Sequence, residues 1–172
     1  MTTKTQSLLK PLKRIEHGLD AIIQPVVFAG MAALIGVITL QIVSRVMFSA
    51  VGWTEEVARF LLVWITFMAA TLAFQRGRHI AVTFAVDALP RRLRQAARIA
   101  ATLAVLAFMV ALVVIGYRYM QVQSFQNSAS LRLSMTYVYA VIPLSAAVMG
   151  WYALVDLLEL LLDGERLEEP AP

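Results

Sequence analysis

Four runs without a charged residue dominate the pattern of apolar and polar positions: 21–44, 60–75, 99–117 and 133–155. A helix needs roughly 20 consecutive apolar residues to cross a bilayer, and each run meets or approaches that length with no polar face of the kind a soluble helix carries. The second run has only 16 residues, so its helix must take its first turns from Thr54, Glu55, Glu56, Val57, Ala58 and Arg59. The pattern predicts an all-α integral membrane protein with spans at about 21–44, 54–75, 97–118 and 134–156, which together form one transmembrane domain, 21–164. Before it, Leu8, Leu12, Ile15 and Leu19 recur at helical spacing with Lys10, Lys13, Arg14 and His17 between them. That spacing describes a separate basic amphipathic segment, 1–20, lying on the membrane surface, with Pro11 in its first turn. The 24-residue run that follows is too long for the core of a cleaved signal peptide and is read as a retained span.

Two further stretches border the spans. Ile80, Val82, Phe84 and Val86 alternate with a period of two. A lone strand cannot satisfy its backbone in lipid, so 76–90 is expected to form a short interfacial helix or re-entrant turn ending at Pro90. Past 155, Leu157, Leu158, Leu161 and Leu162 against Asp156, Glu159 and Asp163 carry the fourth helix into the interface until Gly164 stops it, leaving 165–172 as a cytoplasmic tail.

Composition agrees: 60% of the 172 residues are hydrophobic and 15% charged, against roughly 45–50% and 25% in soluble domains. The net charge of +4 does not point to nucleic acid, because the basic residues flank the apolar runs and do not interleave with aromatics. Lys4, Lys10, Lys13, Arg14, six arginines between Arg76 and Arg98, and Arg166 fall on one side of the four spans. Arg45, Arg59, Arg118 and Arg132 fall on the other. Eleven against four places both termini in the cytoplasm. Trp53, Tyr117, Tyr119, Tyr137 and Tyr139 would form the outer aromatic belt, and Trp151 with Tyr152 the inner one.

The chemistry left to such a chain is narrow. Without cysteine there is no thiol redox chemistry, cysteine-ligated zinc or iron–sulfur cluster. His17 and His79 lie outside the uncharged runs, which argues against haem, and no acid falls near midplane to serve a proton-coupled exporter or an intramembrane protease. No catalytic residue, cofactor or metal is expected, and the chain does not read as an enzyme. Among the polar residues of the runs are Thr39, Gln41, Ser44, Thr66, Thr71, Thr102 and Ser145, of types that commonly bond to their own helix. Small residues four apart, such as Ala29 with Ala33, Ala32 with Gly36 and Ala146 with Gly150, favour close helix packing.

One polar cluster stands out at the outer mouth. Gln41 and Arg45 end the first span, and Trp53, Glu55, Glu56 and Arg59 open the second. Thr54 is placed to cap the second helix, with Glu55 and Glu56 in its first turn. Glu55 and Arg59 are spaced for an i, i+4 ion pair, and Arg45 is placed to meet Glu56 across the connecting loop. Such a cluster is either a solvated cap or a docking site for a partner.

Here the sequence becomes recognisable. Gly52-Trp53-Thr54-Glu55-Glu56-Val57-Ala58-Arg59-Phe60-Leu61-Leu62-Val63-Trp64, followed by Arg76-Gly77-Arg78-His79-Ile80-Ala81-Val82, resembles the small membrane subunit (DctQ-like) of tripartite ATP-independent periplasmic (TRAP) transporters. Arg45, Leu89-Pro90 with Arg92, and Tyr139 with Pro143 are softer matches. Thr83 stands where the family usually has an acid, with Asp87 one turn later. The resemblance implies a non-catalytic subunit of the bacterial inner membrane. Its partners would be a large multi-span subunit moving an organic acid with sodium, a periplasmic binding protein that delivers the acid, and membrane lipid. Gln41, Arg45, Trp53, Glu55, Glu56, Arg59, Trp64 and His79 are the candidate partner-interface residues. A self-contained oligomeric channel or exporter, or a structural subunit of another membrane complex, are the competing readings; a channel would call for a polar stripe at midplane depth.

Overall fold

A computed structural model of the chain describes residues 2–47, 52–86 and 91–166. Among the described residues the chain is helical without a strand: α1 (Thr2–Met47), α2 (Gly52–Val86), α3 (Arg91–Val122), a 3-10 turn (Gln123–Phe125), the short α4 (Met135–Tyr139) and α5 (Val141–Arg166). Four stretches are long and apolar enough to cross a membrane: Pro11–Met47, Gly52–Gly77, Leu93–Phe125 and Met135–Leu161. The chain is therefore a multi-pass membrane protein. One end of the bundle, the loop end, carries the 123–134 loop with the end of α1 and the start of α2. The other, the terminal end, carries the start of α1 and the end of α5.

Several boundaries differ from those expected, and for one reason. Charged residues move a helix out of lipid but do not break its hydrogen-bond ladder. The amphipathic segment at 1–20 is continuous with the first span, so α1 is a single helix of 46 residues, about 69 Å long against a hydrocarbon core of about 30 Å. Pro11 consequently lies inside a helix, as does Pro25. The 76–90 stretch extends α2 as far as Val86, and neither a re-entrant turn nor a separate interfacial helix forms there. Pro90 and 167–172 lie outside the described residues. Gly164 does not end α5, which runs to Arg166; glycine inside a helix costs only about 1 kcal/mol relative to alanine.

The fourth span is offset near its start. Pro143 offers no N–H to residue 139, and α4 gives way to α5 across Ala140, whose own N–H still reaches the Thr136 carbonyl at 2.9 Å. Ser134 caps α4 by accepting from the Thr136 N–H. α5 is the central element, with 44% of its most apolar stretch buried against 6–11% for the other spans. It packs along α3 on one side and α2 on another, while α1 lies on α2 and touches α5 but, among the described residues, does not meet α3.

Close approach falls at particular glycines. A Cβ on Gly30 would sit 2.8 Å from Ile65 Cγ1, and one on Gly116 would sit 3.0 Å from Ile142 Cγ2 and 3.3 Å from the Pro143 nitrogen. Of the three small-residue pairs named above, Ala146–Gly150 lies at a packed seam, against Met109. Ala29, Ala32, Ala33 and Gly36 are exposed along α1.

Candidate functional site

The loop end is organised by Glu56. Helix α2 begins at Gly52, two residues before Thr54, so Thr54 is not the cap but a fully buried residue of the first turn. Glu55 occupies the first turn and turns outward, where its Oε1 accepts from Arg59 at 2.9 Å; both side chains are well exposed. One step on, the half-buried Glu56 faces the opposite way, into the 123–134 loop. Its Oε1 accepts from the Ser130 N–H at 2.9 Å and its Oε2 from the Leu131 N–H at 3.1 Å, and the Ser128 hydroxyl also donates to Oε2.

The carboxylate therefore binds two successive backbone N–H groups, as an anion does in a concave turn. The loop is shaped to present them. Ser128 N–H donates to Leu133 O at 2.8 Å, Arg132 N–H returns to Ser128 O at 3.2 Å, and an antiparallel bridge joins Asn127 to Ser134. Arg132 takes a left-handed conformation, φ 53°, to close the tip. Ser128 is buried, and Gly52 leaves the space that the Ser130 hydroxyl occupies: a Cβ there would lie 3.3 Å from it. Glu56 is thus a clasp between the start of α2 and a loop more than 70 residues downstream, and the expected pairing with Arg45 is replaced by these bonds.

Of the other candidates, Arg45 is exposed and Gln41 half-buried on α1, and their side chains take no hydrogen bond or ion pair among the described residues. Trp53 is 42% exposed and Trp64 half-buried on α2. The His79 side chain lies outside the described residues, as does that of Thr83. Tyr117, Tyr119 and Tyr137 are exposed around the loop end, and Tyr139 stacks edge-on against Tyr119 with ring centroids 4.9 Å apart.

A second polar junction, at the terminal end, holds three helices together. The Tyr152 hydroxyl on α5 donates to Asp20 Oδ1 on α1 at 2.9 Å, and the Gln75 amide on α2 donates to Asp20 Oδ2. Tyr152 has no exposed surface, so it is a packed core residue and not part of an aromatic belt as expected. Farther out, Lys13 pairs with Glu159 at 2.6 Å. Asp20 and Tyr152, like Lys13 and Glu159, meet in one antiparallel register of α1 against α5. The sequence signal for Asp20 was its place at the edge of the first uncharged run; nothing local named its partners.

Between the two ends five span hydroxyls bond to their own helices, as expected, whereas the buried Ser145 hydroxyl on α5 has no hydrogen-bond partner among the described residues. Thr39 donates to Ile35 O, Ser44 to Gln41 O, Thr66 to Leu62 O, Thr71 to Met68 O and Thr102 to Arg98 O. None of these five hydroxyls is left to line a polar path.

Comparison with known proteins adds the family. Residues 34–163 match the model for the DctQ component of tripartite ATP-independent periplasmic transporters. The chain is 29% identical over 154 residues to the sialic acid TRAP transporter small permease protein SiaQ of Vibrio cholerae, covering 89% of this chain and 87% of that protein. It is 34% identical over 146 residues to the isethionate TRAP transporter permease protein DctMQ of Oleidesulfovibrio alaskensis, covering 78% of this chain but only 22% of that much longer protein. A third relative is the sialic acid TRAP transporter permease protein SiaT of Haemophilus influenzae, 26% identical over 118 residues, which are 68% of this chain and 19% of that one. The chain belongs to the DctQ family of TRAP transporter small permease subunits.

Proposed function

We propose that this chain is the non-catalytic small subunit of a TRAP-type secondary transporter in a bacterial inner membrane, fixing a large permease subunit that takes up an organic acid with sodium. The observation that carries the reading is the family match, which runs from residue 34, inside the first membrane helix, through the fourth. Its relatives named for isethionate and sialic acid transport point to a small organic acid as the cargo. The geometry supports a supporting role. Polar side chains are concentrated at the two ends, where they pin helices and the loop to one another, and the middle of the bundle offers packing surfaces. A domain that carries substrate across the bilayer needs a stationary body to move against, and a bundle clasped at both ends suits that role. In this reading the terminal end faces the cytoplasm, by the excess of basic residues there. The loop end, with Glu56 and its loop, then faces the periplasm, where a binding protein would deliver substrate.

Reconstitution tests the proposal. Liposomes holding this chain alone should show no sodium-driven uptake, and uptake should appear when its large subunit and binding protein are added. Uptake by the chain alone would overturn the supporting role and favour a self-contained transporter.

A further inference from the structure

Three helices keep step with one another at the terminal end. Where α1 approaches α2 closely, a Cβ on Gly30 would sit 2.8 Å from Ile65, and ten residues farther along each antiparallel helix the Gln75 amide donates to Asp20. One turn beyond, the same register sets residue 79 opposite Glu16, on the line of α2 that also holds Ile65, Leu72 and Gln75. Against α5 the register is fixed by Asp20 with Tyr152 and by Lys13 with Glu159, and between those two pairs it sets Asp156 opposite Glu16. Glu16 is only 6% exposed and Asp156 is half-buried, and both are engaged in hydrogen-bonding or electrostatic contacts. Each layer thus draws one position from each helix: Asp20 with Gln75 and Tyr152, then Glu16 with residue 79 and Asp156.

The second layer brings two carboxylates to one sheltered place. Two such charges do not both stay ionised there without a cation, because they repel each other and burial removes the water that would screen them. The described cations around the layer are paired, exposed or on another helix. Lys13 pairs with Glu159, while His17 on α1 and Arg76 on α2 are exposed. Arg94 and Arg98 stand on α3, which packs along α5 and, among the described residues, does not meet α1. Residue 79 is the histidine of the block Arg76-Gly77-Arg78-His79-Ile80-Ala81-Val82. An imidazole takes up a proton near pH 6.5 in water, and a carboxylate on either side favours the protonated ring.

We infer that His79 is held as an imidazolium between Glu16 of α1 and Asp156 of α5, a proton-dependent lock that joins α1, α2 and α5 one turn beyond the Asp20 junction. The histidine of the block then serves the cohesion of this chain and not contact with a partner. Folding raises the proton affinity of the ring, so the lock is fully closed below about pH 6.5 and weakens as the pH rises through the raised value. With the ring neutral, the two carboxylates are left facing each other. On the orientation proposed above this end faces the cytoplasm, and the lock reads cytoplasmic pH.

The full chain in detergent micelles tests this directly, since it holds two histidines and no cysteine. In a histidine NMR titration, the His79 resonance, assigned by its loss in His79→Gln, should titrate about one pH unit or more above the exposed His17, a tenfold or greater gain in proton affinity. It should fall back toward His17 in Glu16→Gln and in Asp156→Asn. Titration of His79 together with His17 or below it in the unaltered chain, or a midpoint that neither substitution lowers, would overturn the inference. Proximity is read separately, so that a variant with altered folding does not decide the matter. Glu16→Cys with His79→Cys should oxidise to an intramolecular disulfide, leaving no thiol for a maleimide after denaturation. Glu16→Cys with Gly77→Cys, the second cysteine turned to the opposite side of α2, should keep both thiols. A 16–79 pair that stays fully labelled, or a 16–77 pair that is equally protected, would overturn it as well.

Discussion

Removing a single oxygen tests whether the terminal end is held as the structure shows. Tyr152→Phe keeps the ring that fills a fully buried site and deletes only the hydroxyl that donates to Asp20 at 2.9 Å. A hydrogen bond to a charged group contributes about 1.5–3 kcal/mol in water-soluble proteins. Interhelical bonds measured within membranes average about 0.6 and reach about 1.7 kcal/mol, since the unfolded helices find other partners. Asp20 keeps the Gln75 amide in the variant, so its charge is not orphaned and the loss stays at the level of one bond. The expected cost is about 1–2 kcal/mol. Tyr152→Ala sets the scale, because emptying an aromatic site costs about 3–5 kcal/mol. Reversible unfolding by SDS in mixed micelles, followed by circular dichroism, reads both values. The same Tyr152→Phe change made in an Asp20→Ala background should cost almost nothing, giving a coupling of about 1 kcal/mol or more. Loss of less than about 0.3 kcal/mol in the wild-type background, or an equal loss in both backgrounds, would refute the junction.

Topology follows from the eleven-to-four excess of basic residues: with the chain otherwise free of cysteine, an impermeant thiol reagent on intact spheroplasts should label Ala129→Cys and not Gly18→Cys, and the reverse result would invert the orientation. Glu56→Gln should release the 123–134 loop, seen as faster amide hydrogen exchange at Ser130 and Leu131 with exchange along α5 unchanged; unaltered exchange at those two amides would remove the clasp. Arg59→Ala, which breaks only an exposed pair, should leave that exchange as it is. Gly116→Val should lower stability by about 1–3 kcal/mol, because its Cβ would press on Ile142 and on the backbone nitrogen of Pro143, and an unchanged SDS midpoint would show that α3 and α5 do not approach as described.

The spans were legible because a bilayer imposes a length and a polarity that four uncharged runs satisfy, and the two family blocks flank the second of them. Helix ends were less legible. Lys13, Arg14, Glu16 and Arg76 mark where a helix leaves lipid, and α1 and α2 run through those positions without a break. The Glu55–Arg59 pair was readable, being one turn apart. The partners of Glu56 were not: Ser128, Ser130 and Leu131 lie 72–75 residues away, and a carboxylate bound by backbone N–H groups leaves no complementary side-chain charge to find. Arg45 was the nearest opposite charge in sequence, which is why the pattern pointed to it. Tyr152 misled for a related reason. A tyrosine near a span end has two stable placements, ring in the interface or ring in the core with its hydroxyl on a buried acceptor, and only the position of Asp20 on another helix decides between them.

The two carboxylates do the same work at opposite ends. In lipid there is no hydrophobic force drawing one apolar helix to another, so packing must be supplemented by polar contacts, and those are cheapest near the interfaces. Asp20 ties α1, α2 and α5 at the terminal end, and Glu56 ties α2 to the loop between α3 and α4 at the loop end. Helix α2 is held at both, through Gln75 and Glu56. Between those points the bundle needs only shape, and its glycines at positions 30 and 116 supply it at the α1–α2 and α3–α5 contacts. A bundle fixed in this way keeps its form without spending the outer face of α5 on its own cohesion.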